Sequence, residues 1–139
     1  FQPWNVLVDA ADPAIVTGII DFGDLVAGPP GLDLAVACAY HVHDAPAATP
    51  LAGVAALAGA YHAVRPLSAA ELALLPVLVA GRMAVTLAIT GWRARLHPAN
   101  AGYILRNAAG AQVRLERLAA LPGSGQLAGL QAACPAPPA

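Results

Sequence analysis

Asn5-Val-Leu-Val-Asp-Ala-Ala-Asp-Pro-Ala-Ile-Val-Thr-Gly-Ile-Ile-Asp-Phe-Gly-Asp24 is the stretch on which the reading of this chain turns. Val6 to Val8 and Ile15 to Ile20 are short runs rich in β-branched residues. The Asp9-Ala-Ala-Asp-Pro13 segment between them has the chemistry of a turn. The pattern predicts an antiparallel β-hairpin, with Asn5 opening the first strand and Asp21 closing the second. Those two ends of a hairpin meet, so an amide oxygen and a carboxylate are expected side by side. Hard oxygen donors of this kind suit Mg²⁺, which takes few protein ligands and completes its shell with phosphate and water. Gly23 is expected to give the backbone the freedom to turn the Asp21 carboxylate towards a cleft. Read more plainly, Asp21-Phe-Gly-Asp24 is also an ordinary strand-to-loop turn, and Asp24 reads as a solvated loop residue.

Beyond the hairpin, Gly28-Pro-Pro-Gly31 is expected to break the chain before any helix starts. Helices are then expected over roughly Leu32 to His43, Leu51 to Val64, the stretch after Ser68 to about Leu96, and Ala109 to Leu121. Ser68 with Glu71 three residues later is a capping box for the third helix. Pro76 is expected to break or kink that helix. Pro122 to Ala139 is rich in Pro, Gly and Ala and reads as a disordered tail or linker. The fold class is therefore α+β: one hairpin followed by a mostly helical subdomain over 1–121, with a tail over 122–139. A lone hairpin is marginal in water, so this one needs cover from the helices or from further chain.

Composition narrows the partners. The net charge of −1 offers no electrostatic case for nucleic acid or an anionic membrane. A hydrophobic content of 58% raises the membrane question. The most apolar long stretch, Leu72 to Trp92, carries Arg82 near its middle, which costs about 2.5–3.5 kcal/mol at a bilayer centre. A core helix is the expected outcome. Cys38 and Cys134 are isolated, without metal-ligand spacing, and Cys38 reads as a buried free thiol. A reducing, cytoplasmic setting is expected. His41, His43 and Asp44 do not share a helix face and make a poor metal cluster. His62 and His97 are given no special role. The opening Phe1-Gln-Pro-Trp4 reads as the interior of a longer gene product.

Three ordered motifs carry a resemblance. Asn5-Val-Leu-Val-Asp9, then Ile19-Ile-Asp-Phe-Gly-Asp24, then Gly28-Pro29 with Asp33-Leu-Ala35 resemble the aminoglycoside-phosphotransferase superfamily of protein-kinase-like enzymes. Tyr61 to Leu67 and Trp92-Arg93 look most like its hydroxylysine-kinase-type branch. The resemblance runs from Asn5 to Leu121 and implies the C-terminal lobe of a protein-kinase-like fold. It implies Mg²⁺ held by Asn5 and Asp21, with ATP or GTP as donor and a small-molecule hydroxyl as acceptor. Asp33 would be a buried aspartate supporting the catalytic loop, and its position also suits an N-cap for a helix starting near Leu34.

The resemblance also places the catalytic Asp immediately before Phe1 and the nucleotide lid with its Lys further upstream. No catalytic residue is thus assigned within the chain, and the 139-residue chain alone is expected to be inactive. Trp4, where many relatives carry Gly, is a candidate for shaping the substrate side. Arg82, Thr86, Thr90 and Arg93 fall on one stripe of the third helix. That stripe suits a substrate carboxylate and equally suits a solvent face. An amino acid or amino alcohol such as hydroxylysine is the expected substrate. The competing expectation is a non-catalytic kinase-like binding domain fused to another enzyme, such as a class III aminotransferase.

Overall fold

The computed structural model describes residues 2–23, 26–43 and 49–135. Strand β1 (Val6–Val8) pairs antiparallel with β2 (Val16–Ile19), in the register Val6 to Ile19, Leu7 to Gly18 and Val8 to Val16, with a bulge between Leu7 and Val8. The expected turn is built by its own carboxylates. Asp9 Oδ1 accepts from the backbone N–H groups of Ala11 (2.8 Å) and Asp12 (3.1 Å), and Asp12 Oδ1 accepts from that of Ala14 (3.0 Å). The helices do not cover the hairpin: Leu7, Val8, Ile15, Val16 and Ile19 all stay exposed.

The first helix, α1 (Pro30–Ala39), starts earlier than the sequence suggests. Gly28-Pro-Pro-Gly31 does not break the chain. It launches the helix, because a proline in the first turn has its φ preset and no N–H to leave unsatisfied. Asp33 therefore lies inside the first turn. Pro29 occupies the N-cap, with no side-chain cap bond, so the N-cap reading of Asp33 does not hold. Asp33 is also exposed, not buried, though a carboxylate in a first helical turn is favourable to the dipole.

Helix α2 (Ala52–Val64) leads through Arg65-Pro66 into α3 (Ala69–Leu96), the long axle of the fold. Helix α3 runs on through buried Pro76, so the expected break does not occur. Its inward residues Leu72, Leu75, Val79 and Met83 meet Leu34, Ala35 and Cys38 of α1 and Val54 and Ala58 of α2 in one core. A 3-10 turn (Pro98–Asn100) and the short α4 (Ala101–Ile104) precede α5 (Ala108–Ala119), which packs along α3 and adds Leu118 to the core. By length and composition α3 is able to cross a membrane, but a core helix passes the same test. Its outer face, Leu74, Val77, Val85, Ile89 and Trp92, is exposed.

The stretch read as a disordered tail contains a further helix, α6 (Gly123–Ala133), docked on α2 and α3. Composition misled here because two residues, Leu130 and Cys134, anchor the helix in the core at 1% and 4% exposure. The approach is close enough to need glycine: a Cβ on Gly59 of α2 would stand 2.9 Å from the Ala133 carbonyl oxygen. His62, given no role from sequence, clasps this junction. Its Nδ1 accepts from the Leu67 N–H at 2.9 Å, which leaves Nε2 as the donor to the Pro135 carbonyl at 3.0 Å. Burial pushes the Cys38 thiol up to about 12, with neighbouring Cys134 adding to the effect, so it stays neutral.

The capping box forms as expected. Ser68 Oγ accepts from the Glu71 N–H at 3.2 Å, and Glu71 Oε2 accepts from the Ser68 N–H at 2.8 Å. Arg65 donates to Glu71 Oε1 through both terminal nitrogens, each at 3.1 Å. The Ser68 backbone and hydroxyl, and then Arg65, hold the Glu71 carboxyl below the usual carboxylate range. A depressed carboxyl contributes stability at neutral pH that is lost as pH falls through its folded value. Ser68→Ala is expected to cost about 1 kcal/mol at neutral pH. Denaturant titrations should show the gap between wild type and variant shrinking as pH falls through the depressed folded-state value of Glu71 and the carboxylate takes up its proton. A gap that is absent at pH 7 would contradict the cap.

Candidate active site

The mouth of the hairpin is organised by backbone bonds. A 3-10 turn (Pro3–Asn5) leads into β1, with the Asn5 N–H bonded to the Gln2 carbonyl at 3.0 Å. The Ile20 N–H then donates to the Asn5 carbonyl at 2.9 Å, so Asn5 and Ile20 face each other across the open end of the ladder. Side chains alternate faces along a strand, so a continued strand would aim Asp21 away from Asn5.

It does not continue. Among the described residues, Asp21 alone of the non-glycines has a positive φ, at 66°. This left-handed turn brings the carboxylate round to the Asn5 side, where Asn5 Nδ2 donates to Asp21 Oδ2 at 3.3 Å. Asp tolerates this region better than most residues, but it still costs of order 1 kcal/mol. The reorientation expected of Gly23 is thus made by Asp21 itself: no described glycine has a positive φ. A sequence offers no signal for this, because Asp-Phe-Gly is also an ordinary turn.

The pair suits a hard divalent cation in donor type. A carboxylate and an amide are adjacent on an open surface, where phosphate and water have room to complete a shell. The observed hydrogen bond engages the amide nitrogen, so the Asn5 side chain must flip to present its oxygen to a metal. Among the described residues no group of three or more His, Cys, Asp or Glu is placed to hold a metal ion. The His41, His43 and Asp44 reading gains nothing from this, and Asp44, like Asp24, lies outside the described residues.

The other candidates are spread out. Trp4 sits in the 3-10 turn next to Asn5 and is 75% exposed. The Arg82 to Arg93 stripe does not act as one surface. Thr86 Oγ1 donates to the Arg82 carbonyl at 3.0 Å and Thr90 Oγ1 to the Thr86 carbonyl at 2.7 Å, so both hydroxyl protons are committed to the helix. Arg93 is exposed, whereas Arg82 is half-buried and lines a small cavity beside Arg114 and Asn107. Sequence spacing missed those two residues because they come from a different part of the chain. A larger cavity of about 450 Å³, between α2, the start of α3 and α6, is lined by neither Asn5 nor Asp21.

Residues 1–67 match the family model described as "Phosphotransferase enzyme family" (APH). No curated protein and no solved structure matches the chain. The matched stretch holds the whole hairpin, the Asn5–Asp21 pair and α1. The match covers just under half of the chain, and over that stretch the chain is similar to the aminoglycoside-phosphotransferase, kinase-like superfamily.

Proposed function

We propose that this chain forms the metal-binding side of a phosphotransferase that moves a phosphoryl group from ATP or GTP to the hydroxyl of a small molecule. One observation carries the reading: Asn5 and Asp21 meet at the hairpin mouth through a left-handed Asp21, inside the stretch that matches the phosphotransferase model. Asp21 would hold Mg²⁺ through its carboxylate, and Asn5 through its amide oxygen after the side chain flips. When bound, Mg²⁺ supplies neutralisation of phosphate charge. The chain's own contribution is positional: the Ile20–Asn5 backbone bond and the Asp21 turn hold two ligands at fixed separation before substrate arrives. Exposed Trp4 would wall the acceptor side of the same mouth. The acceptor is a small amino acid or amino alcohol such as hydroxylysine, in a cytoplasmic enzyme.

The test is nucleotide turnover by the full-length protein against a panel of hydroxylated amino acids, amino alcohols and aminoglycosides, with and without Mg²⁺. Mg²⁺-dependent release of ADP or GDP with a hydroxylated amino acid or amino alcohol is the expected result. Turnover that persists under chelation defeats the metal assignment, and a preference for aminoglycosides defeats the substrate class.

A further inference from the structure

We infer that His62 is a pH-sensitive latch, whose protonation loosens the junction of α2, the connector into α3 and α6. The ring is half-buried and ties the three together. It stands on α2. Its Nδ1 accepts from the Leu67 N–H of the connector at 2.9 Å, and its Nε2 donates to the Pro135 carbonyl just past α6 at 3.0 Å. A backbone N–H can only donate, so Nδ1 must keep its lone pair, and the two bonds together fit the neutral ring alone. Protonation puts a hydrogen on Nδ1 that faces the hydrogen of the Leu67 N–H. Leu67 is 7% exposed, so a part-buried donor then loses its acceptor. The ring is rigid and cannot turn away from Leu67 without carrying Nε2 away from Pro135. The neutral ring is thus the form the junction holds, and the stabilisation present at neutral pH is lost as pH falls.

The surroundings favour loosening over a compensating contact. His62 borders the cavity of about 450 Å³ together with Ser68, Gln131 and Cys134, which gives protons a path to the ring and gives the imidazolium room to turn. No acidic residue is among those lining that cavity. The titratable and charged groups on the packed elements are Tyr61 and Arg65 at the end of α2, Glu71 at the start of α3 and Cys134 at the end of α6. Arg65 is a cation and lies over the Tyr61 ring, 6.0 Å from its centre. The Glu71 carboxylate is engaged already, by Arg65 at 3.1 Å and by the Ser68 N–H at 2.8 Å. Burial pushes the Cys134 thiol up, so it stays neutral. The last turn of α2 does favour a positive ring through the helix dipole, but that effect is the same whether α6 is seated or not, because His62 belongs to α2 in both states. Loosening uncovers Leu130 and Cys134, which are 1% and 4% exposed while α6 is docked. The latch shares no residue with the Asn5–Asp21 pair, so it does not rest on the phosphotransferase reading.

The test is amide hydrogen exchange of the full-length protein at about pH 7.5 and at about pH 5.5, on either side of the ordinary histidine range, corrected for the intrinsic effect of pH on exchange. Glu71 stays ionised throughout, because its carboxyl is held below the usual carboxylate range, so the capping box does not contribute. Protection at Leu67 and at Cys134, whose N–H donates to the Leu130 carbonyl at 3.0 Å, is expected to fall by about tenfold or more at the lower pH, the scale of one part-buried donor losing its acceptor. His62→Asn sets an amide oxygen near the Nδ1 position, and His62→Gln reaches towards Pro135 instead. Neither side chain titrates, so the fall should vanish in both variants. His97→Gln, an exposed change at the end of α3, should leave it intact. A His62 that is merely structural gives wild-type protein no such fall, and that result overturns the latch, as does a fall that survives both His62 substitutions. Should neither variant fold, nuclear magnetic resonance of the wild-type protein decides. The Leu67 amide shift is expected to titrate together with the His62 ring, and an amide that does not follow the ring overturns the proposal.

Discussion

Asp21→Asn is expected to lower Mg²⁺-dependent turnover of the full-length protein by at least about a hundredfold, the scale on which loss of a single charge-stabilising group acts in preorganised sites. The substitution isolates charge from backbone. Asp21 sits at φ 66°, a region that Asn occupies as readily as Asp, so the turn and its hydrogen bond to Asn5 survive. What is lost is the negative oxygen that a cation needs. The thermal midpoint of the variant should match that of wild type, which separates this outcome from misfolding. Asp21→Val would confound the two effects, because a β-branched residue at positive φ strains the hairpin mouth as well. Near-normal turnover with unchanged Mg²⁺ dependence in the Asn variant would remove Asp21 from the site.

Leu130→Ala is expected to destabilise the chain by about 3 kcal/mol, within the range for emptying a buried leucine site. The reasoning is one of burial. Leu130 is 1% exposed and joins the core that α3 organises, although it lies in a stretch whose composition reads as linker. If residues 122–139 were a linker, the same change would cost nothing measurable. Chemical denaturation of the two proteins separates the readings, and a difference below about 0.5 kcal/mol, the range of ordinary surface substitutions, would return α6 to the solvent. Gly59→Ala provides a second reading of the same junction. Alanine normally favours a helix interior by about 1 kcal/mol over glycine. Here its Cβ would stand 2.9 Å from the Ala133 carbonyl oxygen, so the change should destabilise instead.

The hairpin, its turn and the start of α3 were legible because their causes are local. Asp9 and Asp12 bond to backbone groups two or three residues away, and Ser68 and Glu71 satisfy each other within one helical turn. Such bonds depend on spacing alone, which the sequence states directly. Antiparallel pairing also made legible that the chain ends bearing Asn5 and Asp21 adjoin, but the contact of their side chains came from the left-handed turn at Asp21, which pairing does not dictate. Tertiary structure decided what spacing cannot state. Whether Pro30 ends a segment or begins a helix depends on where α1 must start so that Leu34, Ala35 and Cys38 reach α3. Whether a Gly- and Ala-rich stretch folds depends on a surface for Leu130 to enter, which α2 and α3 supply from residues 52–96. The polar stripe on α3 is not one surface in the fold, and Arg114, which lines the same small cavity as Arg82, stands 32 positions beyond it along the chain. Nothing local ties those two residues together, and only the packing of α5 along α3 sets them around one cavity.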